Sequence, residues 1–194
     1  MYNVGIYLFN DIELLDFAGP HEVYSVTSEL NSFELFNVFT VTKDGKEIKS
    51  VNGLKAVPDY SFADCPDIDI FVIPGGVGTR AEIEKPEILE WILGKYHSSA
   101  ITMSVCSGAR ILGKLGLLNG LECTTHHEVM EHLSEIAPEA RIVDKRFVDT
   151  GKIMTSGGIS AGIDLSLHVV EKLFGREVMK KTVQYMEYGD WRNI

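Results

Sequence analysis

A short apolar stretch that runs without a spacer into a helical pattern is the feature that most constrains the fold of this chain. Residues 100–105 are apolar and β-prone. Apolar residues on one helical face follow them: Ile111, Leu112 and Leu115. Cys106 lies where the strand would become the helix, between the small residues Ser104 and Gly108. The order small-x-nucleophile-x-Gly is the sulfur version of the nucleophile elbow, a sharp strand-to-helix turn. The stretch therefore predicts an α/β fold with a thiol at a strand end.

The position of this thiol predicts that it is acidic. The first turn of a helix presents unpaired N–H groups and the positive end of the helix dipole, which favour a thiolate over a thiol. Cysteines so placed titrate about one to five pH units below the ordinary value of about 8.5. The ordinary alternative is an inert, buried cysteine that packs like a small hydrophobic residue. The small and polar neighbours of Cys106 favour the reactive interpretation.

The composition favours one α/β domain over residues 1–194 and argues against several classes of partner. The chain has 194 residues, 45% of them hydrophobic, which is enough for a sizeable core. Its net charge of −10 offers no basic surface for nucleic acid or anionic lipid. No apolar run reaches membrane-spanning length, and the first residues lack the pattern of a secretory signal. Three widely spaced cysteines indicate a reducing cytoplasm and form no metal-type pair. We therefore expect a cytoplasmic protein that acts on a small molecule without a metal or other cofactor.

Strand and helix patterns alternate along the chain. Strands are predicted over 2–9, 35–42, 68–73, 100–105, 122–125, 141–143, 146–148 and 153–155, with a hairpin between 43 and 57. Helices are predicted over 20–30, 86–97, 126–136, 161–174 and 176–188, and after Cys106. The first of these starts at Pro20, because proline suits the first turn of a helix. This alternation predicts a three-layer α/β/α sandwich, flavodoxin-like, around a mostly parallel sheet.

Several polar residues and glycines follow predicted strands and would meet at one edge of this sheet. Ligands of parallel sheets bind beyond the carboxyl ends of the strands. The residues at this edge are Asp16, Gly75, Gly76, Cys106, His126, Gly157 and Gly158. Asp16 is an acid within an apolar run, and it is either a helix-capping residue or a carboxyl group directed into the crevice. The convergence of these residues predicts a functional site.

Five segments resemble the ThiJ/PfpI superfamily, whose fold is similar to that of class I glutamine amidotransferases. They are residues 15–23, 71–76, 104–108, 124–126 and 155–164, in family order. The Asp-x-x-Gly-Pro-His element and the Gly-Gly-Ile-x-Ala-Gly-Ile-Asp element are most similar to the isocyanide hydratase branch. The resemblance implies that a thiolate adds to an isocyanide carbon and that hydrolysis releases an N-formamide. It also implies a homodimer. The same domain occurs fused to helix-turn-helix modules in transcription regulators, and 194 residues are too few for such a module.

The resemblance also implies roles for individual residues. Cys106 would be the nucleophile, Asp16 its acid partner, and Ser107 a further catalytic residue. The oxyanion or substrate-binding residues would be Gly75, Gly76, Ser107, His126 and Gly157, with the amides of Gly76 and Ser107 near the reacting atom. Isocyanide hydratases carry threonine at the position of Ser107, so this chain keeps the hydroxyl group and lacks the methyl group.

Three other functions stay open. Cys106 and His126 could form the dyad of a protease or amidase, although a histidine at a helix start is the more ordinary interpretation. A low-pKa thiol beside a carboxyl group would also suit a non-catalytic redox sensor in a stress response. Residues 76–81 fit the dinucleotide pattern G-x-G-x-x-A, but they do not follow the first strand, which makes this the weakest interpretation.

Overall fold

A mostly parallel β-sheet with helices on both faces forms the body of the molecule, as the sequence predicts. The structure is a computed structural model and describes residues 1–193. The strands are β1 (Tyr2–Tyr7), β2 (Phe36–Thr42), β3 (Ile48–Lys49), β4 (Lys55–Ala56), β5 (Tyr60–Ser61), β6 (Ile70–Ile73), β7 (Ile101–Ser104), β8 (Glu122–Cys123), β9 (Arg141–Ile142), β10 (Phe147–Asp149) and β11 (Ile153–Ser156). The α-helices are α1 (Leu14–Glu29), α2 (Thr79–Glu82), α3 (Pro86–Ser98), α4 (Ala109–Lys114), α5 (Met130–Ile136), α6 (Ala161–Phe174) and α7 (Arg176–Tyr185). Short 3-10 turns cover Cys106–Gly108, His127–Val129 and Trp191–Asn193.

The main sheet of the described residues has seven strands in the order β10-β11-β7-β6-β1-β2-β5. Every neighbouring pair is parallel except β10 and β11, which form an antiparallel edge. The central strand β6 is buried along its whole length, which fits its uninterrupted apolar sequence. Because β1, β6, β7 and β11 are parallel, the loops that follow them leave the sheet at the same edge.

The pairing register shows how the helices are divided between the two faces. Val72 of β6 pairs with Met103 of β7, so these two side chains share one face while Phe71 points to the other. On the first face, the hydroxyl group of Tyr24 in α1 contacts the sulfur of Met103 at 3.1 Å. On the second face, Phe71 meets the ring of Trp91 in α3 edge-on. Helices α6 and α7 pack against α1, which places them in the first layer.

The sequence-based prediction for α1 was wrong at its start. The helix begins at Leu14 and not at Pro20, so Pro20 lies inside it. Proline has no N–H group to donate to the carbonyl oxygen of Asp16 four residues earlier. Packing of Phe17 into the core from the early turns favours the longer helix despite this loss. Asp16 therefore lies in the first helical turn rather than in a loop before it.

The other element boundaries differ from the predictions by small amounts. Helix α6 has the predicted bounds, whereas α7 is three residues shorter than predicted, ending at Tyr185 rather than Tyr188. The predicted hairpin forms between β3 and β4. Two short elements, β5 and α2, were not predicted, because elements of two and four residues carry no periodic pattern. In the part of the chain that the structure describes, every helix is too short or too polar to cross a membrane.

Gly108 allows the turn after β7 to lie directly on the end of β6. A Cβ atom at this position would be 2.2 Å from the carbonyl oxygen of Ile73 and 2.8 Å from that of Pro74. The φ angle of Gly108 is −57°, which any residue adopts, so close approach rather than backbone conformation requires glycine. The two strand ends can thus carry their loops into one site.

Replacing Gly108 with alanine is expected to destabilise the fold. The new methyl group would contact main-chain oxygens that cannot rotate away, at a cost of about 1–3 kcal/mol. Urea unfolding at neutral pH measures this change. Gly94 provides a matched control, because a Cβ atom there would have nothing within 4 Å on the exposed side of α3. Gly94→Ala should stabilise the protein by about 0.5–1 kcal/mol. Equal effects of the two substitutions would contradict the close approach of β6 and the turn.

Candidate active site

Cys106 occupies the strained turn that the sequence predicts. It follows β7, its φ angle is +54°, and its side chain is 7% exposed. This left-handed conformation is uncommon outside glycine and persists only when its surroundings enforce it. The N–H group of Cys106 donates to the carbonyl oxygen of Gly157 at 3.0 Å. The hydroxyl group of Thr125 donates to the carbonyl oxygen of Cys106 at 2.7 Å. Two other loops therefore hold the turn from both sides.

Asp16 is buried beside Gly75 and the Cys106 thiol and does not cap its helix. Its side chain is 0% exposed, and Oδ2 accepts the N–H group of Gly75 at 2.9 Å. Among the described residues, Oδ1 has no hydrogen-bond partner. Burial is the main reason that the pKa of Asp16 rises to about 7, and the charge of Glu13 adds to it. The N–H group of Gly75 and the neighbouring Cys106 thiol oppose this rise.

The predicted acidity of the Cys106 thiol was wrong. Burial, followed by the negative charge of Asp16, raises the pKa of Cys106 to about 12. The backbone N–H groups of Ile159 and Ser107 favour the thiolate, as a helix start should, but burial outweighs them. Between pH values of about 7 and about 12, the Asp16–Cys106 pair therefore holds one proton and one negative charge. The carboxylate is the base that this thiol needs.

The hydroxyl group of Ser107 fastens the turn to the loop after β6. It donates to the carbonyl oxygen of Gly76 at 3.0 Å and accepts the N–H group of Gly76 at 2.8 Å. The predicted role of the Gly76 amide near the reacting atom differs from this arrangement, because Ser107 already occupies that N–H group. The hydroxyl of Ser107 thus holds the loop, while its backbone N–H group favours the thiolate of Cys106.

Two further glycine amides predicted to bind substrate also have partners within the protein. The N–H group of Gly75 holds Asp16, and that of Gly157 donates to the carbonyl oxygen of Arg146 at 3.0 Å. The amide of Ile159 was missed by the sequence analysis. Ile159 has a φ angle of +38° and follows the glycine pair that begins the loop after β11. The glycine pair was the sequence signal that this loop approaches the site. Which backbone amide of the loop faces the sulfur depends on the loop conformation, which the sequence does not give.

His126 has the ordinary role of a helix-start residue and also reaches the site. Its Nδ1 atom accepts the N–H group of Glu128 at 3.2 Å, and its ring stacks on that of His127 at 4.4 Å. Gly158 lies against the same ring, since a Cβ atom on it would be 2.4 Å from Cδ2 of His126. The histidine therefore forms one wall of the site and is held there by contacts on two sides.

A cavity of about 270 Å³ opens beside the sulfur. Its lining includes Gly76, Cys106, Ser107, Arg110, His126 and Ile159. The volume suits a small molecule rather than a folded partner. Arg110 is a member of the lining that the sequence analysis missed, because its position inside an apolar helix carried no signal. Within residues 1–193, no group of three or more His, Cys, Asp or Glu side chains is arranged to hold a metal ion.

Comparisons with known proteins identify the family and support the fold. Residues 3–172 match the DJ-1/PfpI family. An isonitrile hydratase from Pseudomonas putida is 34% identical over 189 residues, which cover 96% of this chain and 78% of that protein. The HTH-type transcriptional regulator GbdR from Pseudomonas aeruginosa is 26% identical over 98% of this chain, which spans only 52% of the regulator. The crystal structure of a THiJ/PfpI family protein from Pseudomonas syringae is similar with a TM-score of 0.86 and 28% identity, covering 96% of this chain and 75% of that one.

Replacing Asp16 with asparagine is expected to stabilise the protein at alkaline pH. The folded-state pKa of about 7 lies above the usual value of 3.8, so the folded state binds the proton more tightly than the unfolded state. The stability from this proton is complete below a pH of about 4 and is lost as the pH rises through about 7. Three pH units correspond to about 4 kcal/mol as an upper value. Asparagine cannot ionise, so Asp16→Asn should exceed the wild type in unfolding free energy at pH 8, and this difference should shrink toward pH 4.

Urea unfolding at pH 4, 6 and 8 measures this difference. The exposed Asp144 provides the control, since Asp144→Asn removes a carboxylate that is already in water. It should show no comparable pH-dependent gain. A wild-type protein as stable as Asp16→Asn at pH 8 would show that the Asp16 carboxylate is not destabilised by burial.

Proposed function

The chain belongs to the DJ-1/PfpI family, and we propose that it is a cysteine-dependent hydratase that converts a small isocyanide and water into an N-formamide. One observation carries the proposal: a fully buried carboxyl group, with one oxygen unpartnered and a pKa of about 7, lies close enough to the thiol in the strained turn for each group to shift the pKa of the other. The reaction needs a nucleophile and a single group that both removes and returns a proton. Asp16 and Cys106 supply these functions.

The first step joins the sulfur to the isocyanide carbon. Asp16 accepts the thiol proton, and the resulting sulfur lone pair forms the C–S bond. The carbon then takes the proton back from the Asp16 carboxyl group, which gives a thioimidate with its C=N double bond intact. A carboxyl group with a pKa of about 7 suits both transfers, because an acid–base catalyst works best near the operating pH. Covalent attack divides one difficult addition into two easier steps.

The second step hydrolyses the thioimidate. Asp16, again a carboxylate, removes a proton from water as the water oxygen bonds to the carbon. Asp16 passes this proton to the nitrogen, which gives a tetrahedral adduct. Asp16 then accepts the hydroxyl proton of the adduct as the C=O bond forms and the C–S bond breaks, and the sulfur leaves with the bonding electrons and takes that proton from Asp16. The N–H groups of Ile159 and Ser107 favour the leaving thiolate. The product is an N-formamide, and the pair returns to its starting charge and proton.

The hydrogen bonds of the glycine amides favour this reaction over acyl transfer. Hydrolysis of a peptide or amide develops negative charge on oxygen and needs free donors aimed at it. The N–H groups of Gly75, Gly76 and Gly157 already have partners in the protein. When a thiolate adds to an isocyanide, the negative charge develops on the isocyanide carbon, and protonation of that carbon removes it. This reaction therefore needs fewer free N–H donors. The raised pKa of Cys106 also disfavours a spontaneous redox sensor, because the thiolate is the form that oxidises.

Cys106→Ala is expected to abolish hydration of a small isocyanide, because the covalent step loses its nucleophile. Methyl isocyanoacetate serves as the substrate, with formamide formation followed by proton NMR. Cys65→Ala is the matched control, since Cys65 lies away from the cavity and is half-buried, and it should keep wild-type turnover. An alanine variant of Cys106 that hydrates the substrate at the wild-type rate would overturn the mechanism. Amine release from peptides that requires His126 would support an amidase instead.

The pH dependence of kcat/KM should show the titration of Asp16. Below a pH of about 7 the carboxyl group is protonated and cannot accept the thiol proton. We therefore expect kcat/KM to rise through about pH 7 and then to stay level. Asp16→Asn should lower kcat/KM by about 10²–10⁴-fold, the usual contribution of a proton-transfer residue. It should also remove the inflection near pH 7. An inflection that persists in the asparagine variant would assign the titration to another group.

A further inference from the structure

A buried guanidinium group without an acidic partner lies beside the nucleophile. Arg110 of α4 is 4% exposed and lines the cavity that contains Cys106. Its Nε donates to Nδ1 of His132 at 3.1 Å, and its Nη1 donates to the hydroxyl oxygen of Thr79 at 3.1 Å. Both acceptors are neutral, because a histidine that accepts at Nδ1 carries no proton there. These bonds fix the orientation of the guanidinium but leave its charge uncompensated.

A second arginine faces the same cavity. Arg80 of α2 is exposed and lines the cavity together with Arg110. Among the ion pairs of residues 1–193, none includes either arginine within 4.0 Å of a carboxylate. A buried charge is costly unless it is paired. Neither arginine has a direct carboxylate partner, so an anion bonded to the Arg110 guanidinium would complete the site.

The free donors of Arg110 point into the cavity. Its Nη2 atom has no hydrogen-bond partner among the described residues, and this atom is not fully enclosed by the protein. It must therefore border open space, and the cavity is the space that Arg110 lines. A guanidinium presents its donors in a planar fork that matches the two oxygens of a carboxylate.

The other charges of the cavity indicate a singly charged ligand. Glu13 and Glu128 also line it, so the formal charges of its acids and arginines balance. A dianionic phosphate would meet more repulsion from these two carboxylates than a monoanionic carboxylate would. The cavity of about 270 Å³ must also hold the reacting carbon next to Cys106, which limits the ligand to a small molecule.

We propose that Arg110 determines the substrate class, and that the substrate is a small isocyanide that carries a carboxylate group. The carboxylate binds to Nη2 of Arg110, with Arg80 at the cavity entrance, and the isocyano carbon is then directed to the sulfur. This inference rests on the proposed function for the isocyanide group. The carboxylate site itself is a property of the cavity, and it can be tested without any isocyanide.

Two alkylating reagents provide that test. Iodoacetate and iodoacetamide have similar sizes and react alike: the Cys106 thiolate forms a C–S bond, the C–I bond breaks, and iodide leaves. They differ in carrying a carboxylate or a neutral amide. The rate of modification at Cys106 is followed by mass spectrometry of its peptide, and the ratio of the two rates is the readout. A ratio cancels effects of Arg110 on the thiolate itself, because both reagents attack through the same sulfur.

In the folded wild type, the ratio of the iodoacetate rate to the iodoacetamide rate at Cys106 should be about tenfold higher than in the urea-unfolded chain. A change of about tenfold is what one charge-assisted hydrogen bond contributes. This comparison needs no variant. Arg110→Gln should reduce the ratio toward the unfolded value, and Arg110→Lys should give an intermediate ratio. Arg80→Gln, at an exposed position, should reduce it less. Arg176→Gln is the control, because Arg176 is exposed at the start of α7 and lies outside the cavity.

A folded ratio equal to the unfolded ratio would overturn the carboxylate site. So would an Arg110→Gln protein that keeps its circular dichroism spectrum and the wild-type ratio. If Arg110→Gln fails to fold, the wild-type comparison and Arg80→Gln still decide the question.

A second pair of compounds tests the substrate class. Isocyanoacetate and its methyl ester differ only in the charge of one group. The wild type should hydrate the acid with a KM about tenfold lower than that of the ester, and Arg110→Gln should remove this preference. Turnover of the ester with no preference for the acid would overturn the substrate class while supporting the hydratase. No turnover of either compound, together with a high alkylation ratio, would overturn the hydratase and leave the carboxylate site established.

Discussion

Burial of one negative charge between a carboxyl group and a thiol governs the chemistry of this site. Asp16 has lost contact with water, and the Gly75 amide is its one main-chain hydrogen bond in the described structure. Cys106 lies in the same dry environment, and the negative charge of Asp16 raises the pKa of its thiol further. Both groups cannot be ionised together near neutral pH. In the proposed reaction the pair is therefore an acid–base unit, in which the carboxylate has the role that histidine has in many cysteine enzymes.

The backbone around Cys106 serves this unit by keeping the sulfur in one position. A positive φ angle at a cysteine costs free energy, and neighbouring loops must supply the contacts that maintain it. Gly157 and Thr125 bind the two polar groups of the Cys106 peptide, and Ser107 binds the loop that also carries Gly75. The turn that carries Cys106 is thus bonded to the loop after β6, and the Gly75 amide of that loop holds Asp16. Displacement of either one changes the distance over which the proton moves.

The sequence was sufficient for the parts of this arrangement that depend on local patterns. Alternating elements predicted the parallel sheet, and the small residues around Cys106 predicted the turn, whereas the sequence left open whether Asp16 caps its helix or faces a crevice. The start of α1 was wrong, because packing of Phe17 into the core outweighs the preference of Pro20 for a first turn. The sign of the thiol pKa shift was wrong, because the burial of a side chain depends on distant segments. The same reason explains why Ile159 and Arg110 were missed, and the homodimer stays a prediction from resemblance.

Strands that are neighbours in the sheet are distant in the chain, and this affects when the site forms during folding. The hydrogen bonds that build the site join residues 59 and 31 positions apart in the chain. Contacts of such long sequence separation form late and slowly during folding, after local helices have appeared. A chain that has regained its helical content but has not yet aligned β1, β6 and β7 holds neither the base near the sulfur nor the turn in its strained form. Recovery of catalysis after denaturation is therefore a measure of complete tertiary assembly rather than of secondary structure.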